Sequence, residues 1–352
     1  MKLFVYEFVT GGGTWQTAGS IEPAGSLLAE GRAMAAALIS DLSAADIEFS
    51  AMLDARLNGS VSLPCPVEIV GSAREEVEVF RRLVQESDAT LLIAPEIGGA
   101  LLNRCRTVEE LGGRLVSPGS RFVAIAADKQ ATAERLSGSG VRVPPGVRLG
   151  SDWFAATEEL FPAVIKPCDG AGSWLVTRVS DRQQFLKLST SPAYQQAIQQ
   201  GGLRIERFVS GLAASAAVLC GPAEYVPLLP CEQVLGGEGF EYLGGRLPLD
   251  PPLAQRARQL ALAAVKALPP ATGYVGVDLI LGPAADGSED YVIEINPRLT
   301  TSYIGLRRAC RQNLAKAMLA VAAGQVAALS FDDQPVEFRA DGTIHTSPHT
   351  LS

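Results

Sequence analysis

Histidine is almost missing from this chain of 352 residues, which has two, His345 and His349, both close to its end. The six cysteines, at 65, 105, 168, 220, 231 and 310, form no CxxC pair and have no histidine nearby, so neither a zinc site nor a disulfide framework is indicated. Free thiols in a reducing cytoplasm are expected instead. Clustered basic residues are lacking too: 30 Lys and Arg are scattered among 38 Asp and Glu, a net charge of −8. That argues against a nucleic-acid partner, while small anions stay open because a cleft can be locally positive. No apolar run reaches the ~18 residues of a membrane span. The apolar start, residues 1–9, is broken by Glu7 and stopped by Gly11-Gly12-Gly13, too short for a signal peptide. The expectation is a cytoplasmic protein that enters no membrane.

What is present, 47% hydrophobic residues in a chain too long for one core, suits two or three domains around a shared cleft. Strand signals at 3–9, 47–53, 67–70 and 89–94 alternate with helical stretches at 23–41 and 73–86, the pattern of a parallel, doubly wound α/β sheet. The three glycines lack G-x-G-x-x-G spacing, since Thr14 and Gln16 interrupt it, and read as a turn or a loop approaching a substrate. Pro95-Glu96-Ile97-Gly98-Gly99 follows a strand and is expected at the cleft. Punctuation near 117–121 ends this first domain. Beyond it come a short helix carrying Asp128-Lys129 and a strand ending at Lys166. Strands at 203–209, 214–219, 274–281 and 291–295 follow, with helices near 252–268 and 305–323, an α+β half. From 331 the chain is polar and reads as a flexible tail.

Lys166 closes an apolar strand and precedes Asp169-Gly170-Ala171-Gly172-Ser173, so an ammonium and several backbone N–H groups can surround a phosphate chain; a surface lysine beside a hairpin would look the same. In Tyr291 to Arg298, Glu294 and Asn296 share a strand face, and Asp278 on a neighbouring strand can join them. Acids in such apolar strands are costly unless partnered, and three converging oxygens suit Mg²⁺. Arg298 projects to the same side and can clamp a phosphoryl or carboxylate group.

Taken in order, Asp128-Lys129, Ile165-Lys166-Pro167, Glu206-Arg207-Phe208-Val209, Gly276-Val277-Asp278 and Glu294-Ile295-Asn296-Pro297-Arg298 resemble the ATP-grasp superfamily of carboxylate–amine ligases over about 120–325. The resemblance implies an ATP-grasp fold behind a pre-ATP-grasp α/β domain. The expected parts are residues 1–118 for that domain, 119–202 for a small subdomain with a glycine-rich flap, 203–330 for the core with the metal site, and 331–352 for the tail. It also implies ATP and Mg²⁺, or Mn²⁺ in its place. Lys129 and Lys166 would bind phosphates, Asp169, Gly170, Gly172 and Ser173 would lie in the flap, and Glu206, Arg207, Phe208 and Val209 would hold adenine. Asp278, Glu294 and Asn296 would bind the metal, and Arg298 would stabilise the acyl-phosphate and tetrahedral state. More narrowly, Phe4-Val5-Tyr6-Glu7 and Asn296 to Leu306 are similar to the tyramine–glutamate ligase group of methanofuran biosynthesis, which has bacterial relatives using methanopterin-type one-carbon cofactors.

Two departures stand out. The acid that commonly holds the ribose is absent from Leu212-Ala213-Ala214-Ser215, leaving Glu241 or Glu232 to substitute, and Gly276 stands where peptide-ligase relatives often have Arg, leaving Arg298 or Arg307 to supply that charge. The reaction the resemblance implies joins glutamate's carboxylate to a primary amine, tyramine in that group, through an acyl-phosphate for a one-carbon cofactor, the amine pocket drawing on Gly11 to Trp15 and Glu7. Alternatives are a ligase for another amino acid and amine, a carbamoyl-phosphate-synthetase-like enzyme, or a nucleotide-binding partner without turnover. A homodimer is compatible with this build.

Overall fold

The computed structural model describes residues 1–61, 63, 65–149, 158–170, 174–200, 202–237 and 240–346. The N-terminal sheet is parallel, in the order β3-β2-β1-β4, from β1 (Lys2–Glu7), β2 (Glu48–Asp54), β3 (Val67–Val70) and β4 (Ala89–Ile93). Every second side chain of β1 faces the same way. Leu3 and Val5 pack with Met34, Leu38 and Leu42 of helix Ser26–Ala44, whereas Phe4 and Tyr6 pack with Phe80, Leu83 and Leu101 on the other face. The sheet is therefore doubly wound.

The three glycines turn the chain tightly after β1. A Cβ on Gly13 would lie 2.3 Å from the Phe8 ring, and Gly12 holds φ +91°, so close packing explains the run without a ligand.

A small antiparallel sheet follows, β5-β8-β6-β7, from β5 (Gly146–Leu149), β6 (Ala163–Pro167), β7 (Thr177–Val179) and β8 (Leu203–Arg207). Helices Arg182–Ser189 and Pro192–Gln200 accompany it, and Leu149, Ile165, Phe185, Tyr194 and Ile205 share a core belonging to this unit alone.

The large antiparallel sheet contains β9 (Leu212–Cys220), β10 (Tyr225–Pro227), β11 (Cys231–Gly236), β12 (Glu241–Leu247), β13 (Gly273–Leu281), β14 (Tyr291–Asn296), β15 (Val336–Arg339) and β16 (Ile344–Thr346). Helix Pro251–Ala267 covers one face. On the other, Leu299, Tyr303 and Met318 join Leu3, Val5 and Leu38 in one continuous core with the N-terminal sheet.

Two expectations are corrected. The helix read over 305–323 is two, Ser302–Ala309 and Leu314–Ala322, because Asn313 accepts a hydrogen bond from Lys316 N and caps a new start. The stretch from 331, read as a flexible tail, supplies β15 and β16, with Val336 and Phe338 in the main core; alternate apolar residues suffice for an edge strand even in a polar segment. His345 sits in β16, and His349 lies outside the described residues.

Candidate active site

Lys166 leaves β6 buried, its Nζ 2.5 Å from Glu206 Oε1 on the adjacent β8 and 3.2 Å from the Ile293 carbonyl of β14. Arg204, two residues before Glu206 on the same strand face, donates from Nε to Glu206 Oε2 at 2.8 Å. Two buried cations thus share one carboxylate. Each unpaired buried ion costs several kcal/mol, so the surplus positive charge favours an incoming anion.

Lys129 begins helix Lys129–Gly138, which Asp128 caps by accepting from Gln130 N and Ala131 N. Its Nζ meets Glu294 Oε1 at 2.7 Å and donates to the Gly170 carbonyl at 3.0 Å. Burial works against this ammonium, but Glu294 together with Glu96 and Glu206 outweighs it and the pKa is raised. Asp169 accepts a 3.3 Å hydrogen bond from Gly98 N, across from the N-terminal domain, while Gly172 and Ser173 lie outside the described residues.

The stretch expected to hold adenine, Glu206 to Val209, lines the cavity, with the Glu206 carboxylate committed to Lys166 and Arg204. Arg207 N donates to Pro145 O, Phe208 N to Pro162 O, and the Arg207 guanidinium to Glu159 O. Among the described residues Val209 N–H has no partner. The Phe208 ring lies under the Arg178 guanidinium at 4.0 Å and 6.5 Å from the Phe240 ring, and both rings line the cavity.

Antiparallel register sets Asp278 opposite Glu294 and Gly276 opposite Asn296, bringing the three oxygen-bearing side chains together. Asn296 Nδ2 donates to Asp278 Oδ2 at 3.0 Å, and Gln233 Nε2 to Oδ1 at 2.9 Å. Burial, then the neighbouring Glu294 charge, pushes the Asp278 carboxyl up to about 6. Two carboxylates and an amide oxygen, crowded enough to repel, are a donor set that a hard divalent cation relieves. Among the described residues no three His, Cys, Asp or Glu converge on such a point, so the amide of Asn296 is needed to complete it. Gly276 belongs here for space: a Cβ would lie 2.6 Å from Thr300 Cγ2.

Arg298 is held by Glu96 of the N-terminal domain, Nε to Oε1 at 3.0 Å and Nη2 to Oε2 at 3.2 Å, with Nη1 on the Leu299 carbonyl. A guanidinium has five N–H donors, so two remain for a substrate. Arg307 cannot supply the charge missing at Gly276, because it pairs with Asp41 and donates to Ser40. Of the two ribose candidates, Glu241 lines the cleft; Gln233 and Leu235 point into it from β11, so Glu232 faces away.

One cavity of about 520 Å³ lies at the centre of the site, within the range of small-molecule sites. Its wall includes Lys129, Lys166, Asp278, Glu294, Asn296 and Arg298. The expected contribution from Gly11 to Trp15 and Glu7 is corrected. Those residues do not line it; Glu7 instead accepts from Val9 N, Thr10 N and Thr10 Oγ1, and the N-terminal domain reaches the cavity through Ser26 and Glu30. Gln233, Arg204 and Glu30 escaped sequence reasoning. Only the Arg204–Glu206 pair had a signal, their two-residue spacing on a strand.

Comparison with known proteins agrees with this geometry. An ATP-grasp domain profile matches residues 126–302, half the chain, and a pre ATP-grasp 3 domain profile matches 47–125. A tyramine–L-glutamate ligase from Methanocaldococcus fervens is 28% identical over 244 residues, 68% of this chain and 69% of that protein. The corresponding ligase of Methanocaldococcus jannaschii is 27% identical over 223 residues, 62% of this chain and 58% of that one. The crystal structure of an ATP-grasp superfamily protein from Archaeoglobus fulgidus superposes with TM-score 0.70 at 22% identity, covering 96% of this chain and 92% of the other. No helix among the described residues is long and apolar enough to cross a membrane. The chain belongs to the ATP-grasp family, and is an enzyme with the carboxylate–amine ligase chemistry of that fold.

Proposed function

We propose that the chain joins the carboxylate of glutamate to the amine of tyramine, with ATP converted to ADP and phosphate, as a step in building a one-carbon cofactor. The observation that carries the chemistry is the single cavity wall on which two lysines, two carboxylates, an amide and Arg298 meet. The substrate pair rests on the two relatives' names.

In this reading the substrate carboxylate attacks the γ-phosphorus and the bond to the ADP oxygen breaks, giving an acyl-phosphate. Lys166, with the surplus charge it shares with Arg204, offsets the negative charge spreading over the phosphoryl oxygens, and Lys129 does so from the flap side. Asp278, Glu294 and Asn296 would hold Mg²⁺ or Mn²⁺, which supplies charge neutralisation to the phosphates. The two spare donors of Arg298 orient the acyl group. Phe208 and Phe240 offer the slot for adenine, Val209 N–H a donor to its edge, and Glu241 a partner for the ribose.

The test is Mg²⁺-dependent ADP release with glutamate, with and without tyramine, followed by mass analysis. ADP stimulated by both substrates, with a product of the glutamyl-tyramine mass, is expected. ADP release indifferent to both overturns the substrate pair.

A further inference from the structure

The cavity is lined by five acidic side chains, and the described contacts leave one of them both half-buried and unpartnered. Glu206 is held by Lys166 and Arg204, Asp278 by Gln233 and Asn296, and Glu294 by Lys129. Glu241 is exposed at the mouth. Glu30 forms no hydrogen bond or ion pair among the described residues, yet it is withdrawn from solvent on the wall contributed by helix Ser26–Ala44.

The position of this carboxylate is fixed rather than incidental. Ser26, one turn earlier on the same helix face, lines the cavity with it. The next residue, Gly31, lies flush against Glu7, where any Cβ would be 2.5 Å from the carboxylate oxygen, so the helix is pressed against the turn after β1. Arg298, whose charge reaches Glu30, and Tyr242 line the same cavity. Burial raises the Glu30 pKa, and the Arg298 charge opposes that rise without forming a pair. A carboxylate left in such a place has its desolvation uncompensated, and a cation brought by a substrate compensates it.

Resting on the ligase reading above, we infer that Glu30 is the residue that receives the ammonium of the acceptor amine, with Tyr242 and Ser26 beside it, and so selects a primary alkylamine. Glu30 sits on the wall that the N-terminal domain contributes, so an amine held there approaches the acyl carbon from that side. The ammonium passes one proton to the Glu30 carboxylate and its freed lone pair attacks the acyl carbon. The C–N bond forms, the bond from the acyl carbon to the phosphate oxygen breaks, and the second amine proton leaves with the phosphate.

The two halves of the reaction separate the assignment from the reading it rests on. Hydroxylamine, a small nucleophile that is uncharged near neutral pH, traps an acyl-phosphate as a hydroxamate without an ammonium site. With glutamate, ATP and Mg²⁺, wild type and Glu30→Gln are expected to form hydroxamate within about twofold of one another, while the KM for tyramine rises at least about tenfold in the variant, the scale of losing one charge pair. Glu30→Asp, which keeps the charge, should recover part of that loss. An unchanged tyramine KM in Glu30→Gln overturns the assignment, as does hydroxamate formation lost together with amide formation, which would place Glu30 on the carboxylate substrate. Equal tyramine KM values in Glu30→Asp and Glu30→Gln overturn it as well. Absence of hydroxamate from the wild type would instead overturn the ligase reading.

Discussion

Asp278 and Glu294 face each other across β13 and β14, and the Glu294 charge, after burial, makes ionisation of Asp278 more costly. The Asp278 pKa rises from 3.8 to about 6, so the folded protein holds a proton there that the unfolded chain has lost. Stability without metal therefore falls as pH rises between those two values and is flat above them. Metal binding needs the ionised acid, so Mg²⁺ affinity should weaken up to about tenfold per pH unit below pH 6, read by calorimetry. In Glu294→Gln the Asp278 pKa should drop, because its second largest cause is gone, while ADP turnover falls at least about 100-fold. Wild-type turnover in that variant would remove Glu294 from the site. Period-two spacing made this trio legible in the sequence, as it could have done for Arg204 and Glu206. Glu96 with Arg298 was not legible as a pair, because 202 residues separate the partners and only tertiary packing joins them.

At the scale of elements, helix Ser26–Ala44 ties the N-terminal sheet to the helices Ser302–Ala309 and Leu314–Ala322 that follow the acid-bearing strands. Its Asp41 accepts from the Tyr303 hydroxyl at 2.6 Å and from Arg307 Nε at 2.9 Å, and the Asp41 carbonyl accepts from Asn313 Nδ2 at 2.7 Å. Arg307 is about a quarter exposed, which discounts the ion pair. Asp41→Asn should then cost about 1–3 kcal/mol in urea unfolding, through the uncompensated Arg307 charge. A midpoint equal to wild type would show the link to be neutral. Helix and strand positions were largely readable from hydrophobic period. The break near 310 was hidden because apolar spacing continues through it, and the signal was a single capping residue, Asn313.

Over the whole molecule, the last described strands are structural. Phe338 is fully buried against Gly245 and Gly305, and β15 hydrogen-bonds along β12. Truncation after Ser330 should destabilise the protein by at least about 4 kcal/mol, on the scale of emptying one buried aromatic site, and should shift the thermal midpoint accordingly. A truncated chain melting with the full chain would restore the reading of this segment as a tail. Composition could not reveal its role, since two apolar side chains in a polar stretch are enough to anchor an edge strand.

The small sheet β5-β8-β6-β7 keeps its apolar core to itself, whereas the other two sheets share theirs. Among the described residues, its polar contacts around the cleft include Lys129 to Gly170, Lys166 to Ile293 and Gly98 to Asp169. Hydrogen bonds of this kind trade readily with water, while a fused core does not. Among the described residues, the contacts that link the small sheet to the rest include those of Lys129 and Lys166. A charged molecule entering the cleft therefore competes for the very lysines that link the small sheet to its neighbours.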